Sequence, residues 1–132
     1  MILGWDSWSL ARLLTLLIGF GYFSLWTQIY IWHARGKFHA WQMYIPVVSL
    51  PLVGIFGILL AIFPNPVLGW IYSILSFLVI LIGLYGGFLH WGAISNRTGG
   101  IKKENIMAGP PVTLPFTIAS LGFVSLLIIW YG

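Results

Sequence analysis

Three histidines are the residues of this chain best suited to chemistry. His33 and His39 flank a basic turn, Arg35-Gly36-Lys37, and His90 follows a long apolar run. Imidazole can ligate haem iron or another metal, and two histidines on different helices can hold a b-type haem. Three histidines on one side permit this without any spacing demanding it; His39 with His90 is the chosen pair, with His33 as the third candidate. The plainer reading is that each ring hydrogen-bonds headgroups, water or a loop carbonyl. A lone metal site is disfavoured, because no carboxylate accompanies the rings. The chain has no cysteine, which excludes thiolate metal sites, iron–sulfur clusters and thiol redox chemistry.

The elements that must position these rings follow from composition. Of 132 residues, 60% are apolar and only 6% charged. A soluble domain carries about 25% charged residues. A soluble fold, a disordered chain and a nucleic-acid-binding domain are excluded, although the sequence pI is about 9.7. The lipid bilayer is the expected solvent. The N-terminal run lacks a basic n-region and an Ala-x-Ala site, so it is read as part of the mature chain rather than a signal peptide.

Four apolar stretches of 20 to 23 residues cover about 10–32, 44–63, 67–89 and 111–130. A helix needs about 20 residues to cross the hydrocarbon core. The expectation is a single all-α membrane domain, 1–132, with four transmembrane helices in an antiparallel up-down bundle. Turn chemistry marks the breaks. Pro64-Asn65-Pro66 makes a short hairpin, and loops 33–43 and 90–110 connect the other spans.

Arg35, Lys37, Arg97, Lys102 and Lys103 fall in those two loops, against Arg12 alone on the opposite side. Five cations against one predict cytoplasmic loops 33–43 and 90–110 with both termini outside. Arg12, about one turn inside the first span, is expected to snorkel outward toward Asp6. Trp5, Trp8, Trp70 and Trp130 are expected at the outer interface, and Trp32, Trp41 and Trp91 at the inner one.

Pro46 and Pro51 each remove a backbone donor and predict a kink in the second span, with Ser49 or a neighbouring helix satisfying the freed carbonyls. Ser76, Gly83 and Gly87 form a small-residue stripe along the third span, suited to close packing on another span or on a partner. Arg97, Lys102 and Lys103 make the long loop a second candidate contact surface, for lipid headgroups or a partner. No Asp, Glu, Lys or Arg lies mid-span, which argues against a proton-coupled transporter.

Several short motifs occur together: Arg35-Gly36-Lys37-Phe38-His39, then Met43-Tyr44-Ile45-Pro46. Phe88-Leu89-His90-Trp91-Gly92 follows, then Gly99-Gly100, Asn105, Gly109-Pro110-Pro111 and Pro115. This combination resembles a family of small four-span bacterial membrane proteins with no established function. The resemblance covers Arg35 to about Pro115, implies a bacterial inner membrane, and supplies no activity or catalytic residue.

Three functions stay open. The first is a non-catalytic accessory subunit of a larger membrane complex, of the respiratory or electron-transfer kind, with other membrane subunits as partners. The second is a redox subunit holding haem b through His39 and His90. The third is a small oligomeric channel or transporter gated by the proline-kinked second span.

Overall fold

In the computed structural model, which describes residues 5–97 and 99–132, every regular element is helical. The long helices are α1 (Leu10–Arg35), α2 (Tyr44–Ile62), α3 (Pro66–Arg97) and α5 (Thr113–Tyr131), with a short α4 (Lys103–Ala108). A 3₁₀ turn, Trp41–Met43, leads into α2. Four of these helices are long and apolar enough to cross a membrane. The third runs beyond the 67–89 stretch to Arg97, and α4 occupies part of the expected loop 90–110.

The helix ends follow local rules. Ser9 caps α1, accepting the Arg12 N–H at 3.3 Å. Between α2 and α3, Asn65 Oδ1 accepts the Leu68 N–H at 3.0 Å, and its amide donates to the Phe63 carbonyl at 2.8 Å. Pro66 takes the first helical position, where its missing N–H costs nothing. The Arg35-Gly36-Lys37 turn differs from a glycine-centred one. Gly36 keeps φ −80°, and the left-handed positions fall on Lys37 (φ 57°) and Phe38 (φ 47°). Stacking of Phe38 on Tyr44 at 4.5 Å accompanies that turn.

The helices pack most extensively as two pairs, α1 with α2 and α3 with α5, with smaller α2–α3 and α1–α5 contacts. Glycines permit the close approaches. A methyl on Gly19 would lie 3.1 Å from the Gly54 carbonyl oxygen, and one on Gly83 would lie 2.5 Å from that of Pro115. Tyr22, Leu50, Val53, Leu60, Tyr72 and Val79 fill the core. Within it the Tyr72 hydroxyl donates to Ser125 at 3.0 Å, and Ser125 donates to the Leu121 carbonyl at 2.8 Å. Trp5, expected as an interfacial anchor, is instead buried in this cluster. Trp70 and Trp130 stand edge to face with centroids 5.1 Å apart.

Arg12 does not meet Asp6 as expected. Its guanidinium donates to the Ala61 carbonyl at 2.6 Å and the Ile62 carbonyl at 3.3 Å. It thus supplies donors to the last turn of α2, whose carbonyls have no intrahelical partners. The guanidinium also stacks on Trp8, 4.1 Å from the ring centroid.

Pro51 lies inside α2. It has no N–H for the Val47 carbonyl four residues earlier. The Trp26 indole N–H of α1 makes that bond instead, at 2.9 Å. The freed group is satisfied by a neighbouring helix, whereas Ser49 Oγ is buried without a hydrogen bond. Replacing Trp26 by Phe therefore leaves the Val47 carbonyl unpaired and is expected to cost about 1–2 kcal/mol. Adding Pro51→Ala restores a helical N–H and should recover most of that loss. Thermal unfolding of the single and double variants in detergent checks this, and a Trp26→Phe protein as stable as the parent contradicts it.

Candidate functional site

The first and third loops come together at one end of the molecule, around a half-open cavity of about 630 Å³. Its walls come from four segments. The end of α1 contributes Trp32 and His33, and the turn after it Gly36 and His39. Gln42 and Met43 come from the 3₁₀ turn and Pro46 from the start of α2, His90 and Asn96 from α3, and Pro110 and Pro111 from the approach to α5 with Pro115 in its first turn. This volume falls in the roughly 300–1,000 Å³ range of small-molecule and cofactor sites. Among the described residues no Asp, Glu, Lys or Arg lines the cavity.

All three histidines line the cavity, and each ring is held through Nδ1. His33 Nδ1 lies 2.8 Å from the Met43 carbonyl oxygen, His39 Nδ1 3.1 Å from that of Gly36, and His90 Nδ1 2.5 Å from that of Pro111. A carbonyl oxygen can only accept, so each Nδ1 carries the hydrogen and donates it. In the neutral ring the lone pair is then on Nε2. The same device orients metal-ligating histidines, whose second nitrogen donates to a carbonyl or carboxylate.

The rings differ in setting. His33 and His90 are half-buried, while His39 is exposed and bonded within its own turn. His33 lies within electrostatic reach of both other rings. His33 therefore shares the setting of His90 more closely than His39, the ring paired with His90 in the sequence reading. Among the described residues no three His, Asp or Glu side chains converge as a metal site.

The His90 anchor has a local cause. The Pro111 carbonyl lies just before Val112, the N-cap of α5, and so has no place in the helical ladder. His90, from α3, supplies the donor. The rule that a proline inside a helix orphans the carbonyl at i−4 points to Val47 from sequence alone, but not to the donor that reaches it.

The remaining candidates lie elsewhere. Ser76, Gly83 and Gly87 are buried, and the two glycines face α5: a methyl on Gly87 would fall 2.6 Å from the Phe116 ring. This stripe therefore packs a span of the same chain. Lys102 and Lys103 are exposed where α4 begins. The Arg97 side chain and Thr98 lie outside the described residues.

Comparison with protein-family models, with curated proteins and with solved structures found no match.

Asparagine places an amide N–H₂ where histidine has Nδ1, but has nothing at the Nε2 position. His90→Asn should therefore keep the Pro111 anchor and stay within about 0.5 kcal/mol of the parent, whereas His90→Leu should lose about 1–2 kcal/mol. Equal stability of the two variants in thermal unfolding contradicts the anchoring role.

Proposed function

We propose that this chain is a small, non-catalytic integral-membrane subunit of a larger complex of the electron-transfer kind, and that it holds a cofactor-sized amphiphile. In this reading the four long helices run up and down across a bacterial inner membrane. The basic loops and the imidazole cavity face the cytoplasm, and both termini face outward. Membership in the family of small four-span membrane proteins that the motifs resemble belongs to the same proposal.

The observation that carries the reading is the lining of the cavity. It has the size of a cofactor site and imidazoles fixed by backbone carbonyls, with no carboxylate or cation among the described residues that line it. Such a lining can orient and hold a ligand. General acid–base turnover needs positioned groups tuned against one another, and among the described residues no carboxylate lines the wall. A channel is disfavoured, because among the described residues no charged side chain is buried in the core.

A b-type haem is the second reading. Imidazoles anchored at Nδ1 with Nε2 available are the arrangement that iron ligands use, and His33 with His90 are the rings placed for it. A channel reading has no comparable support.

Native membranes carrying a tagged chain, solubilised in a mild detergent and resolved by size exclusion, test the subunit reading. The expected result is a stable assembly larger than the chain, containing a redox enzyme among its co-purifying subunits. A chain that elutes alone from native membranes contradicts it.

A further inference from the structure

A second depression lies on the outer surface between α2 and α3, with a volume of about 430 Å³. Trp41, Tyr44, Val48, Leu52, Leu75 and Leu78 line much of it. Ile45 and Ile82 line both this groove and the imidazole cavity, so the two share a wall. The groove lies where α2 meets α3, a smaller contact than those within the helix pairs. From Trp41 it extends toward Leu52 and Leu75, near the middles of α2 and α3.

These features select a class of ligand. His33 and His90 each commit Nδ1 to a carbonyl, and among the described residues neither ring makes another hydrogen bond. Their neutral Nε2 atoms accept hydrogen bonds or bind a Lewis acid. The cavity wall is rich in flat, rigid groups, among them Trp32, Pro46 and Pro111. The groove is aromatic and aliphatic, with Ser49 its small polar side chain. A flat ring with hydroxyl donors fits the cavity, and one hydrocarbon tail fits the groove. A b-type haem has no long tail and would leave the groove unused.

We propose that the cavity and the α2–α3 groove together bind a prenylated hydroquinone that enters sideways from the bilayer. Its ring hydroxyls donate to His33 and His90 Nε2, and its tail passes Ile45 and Ile82 to lie along the groove. The proposal concerns binding, and it rests on the reading of the cavity as an amphiphile site.

The test uses the full chain in lipid nanodiscs, with empty nanodiscs as the partition reference. The probes are a decyl-tailed benzohydroquinone, its oxidised quinone, a methyl-tailed analogue and hemin. Saturable binding of one decyl hydroquinone per chain is expected. The quinone should bind at least about fivefold more weakly, since its carbonyls only accept, and the methyl-tailed analogue at least about tenfold more weakly. His33→Asn and His90→Asn, which keep a donor at the Nδ1 position, should each weaken the hydroquinone about tenfold. Leu78→Trp, at a position that lines the groove and not the cavity, should weaken the decyl compound and leave the methyl-tailed one unchanged, which separates groove from cavity without disturbing either imidazole.

Binding indifferent to tail or to redox state overturns the proposal. So does hemin binding with a bis-imidazole spectrum that both Asn variants abolish, an outcome that makes the cavity a haem site. The subunit reading fails separately, if the chain binds hydroquinone but has no partner in native membranes. If the partner is present and no hydroquinone binds, the present proposal alone fails.

Discussion

In a hydrocarbon solvent, a carbonyl that loses its helical donor must find another within the protein. The rest of this structure is arranged around that constraint. Pro51 orphans Val47, and Trp26 reaches across from α1. The Pro111 carbonyl stands outside the α5 ladder, and His90 reaches across from α3. The α2 C-terminus ends on open carbonyls, and Arg12 reaches across from α1. Each donor ties a helix to its closest partner, the same pairs that the glycine approaches at Gly19, Gly54 and Gly83 allow to touch. Tightness within the pairs leaves the looser boundary between them. The cavity and the groove meet there, on Ile45 and Ile82.

The parts of this fold that depend on length and local chemistry are readable in the sequence. Apolar runs mark the four long helices, Asn65 and Pro66 mark the start of α3, and Pro51 marks the orphaned Val47 carbonyl. The partners of these groups are not readable, because a donor such as Trp26 is 21 residues from its acceptor and depends on which helix lies beside which. Arg12 shows the same limit. Sequence proximity suggests Asp6, whereas four uncapped carbonyls at a helix end are a stronger demand on a guanidinium. The stripe of Ser76, Gly83 and Gly87 is legible as a packing face, and only the tertiary structure shows α5 on it.

The site follows the same division. Three histidines on two loops are evident as candidates, and their convergence on one cavity follows once both loops stand at the same end. Which rings share a setting is decided by the turn geometry. Left-handed Lys37 and Phe38 carry His39 out to the rim, while His33 stays on the last turn of α1 beneath Met43. The continuation of α3 to Arg97 and the short α4 escape a hydropathy reading, because both lie past the apolar runs.

The imidazoles join the structural and functional accounts. Donation from Nδ1 satisfies backbone that would otherwise be unpaired, and the same bond fixes the tautomer that turns Nε2 into an acceptor. The central claim is that the space between the helix pairs holds a tailed ligand. A density map of the chain in its native assembly tests this most directly. The account predicts density for a flat ring between His33 and His90, continuous past Ile45 and Ile82 into the α2–α3 groove. A cavity filled by the side chains of a neighbouring subunit, with no density in the groove, would contradict it.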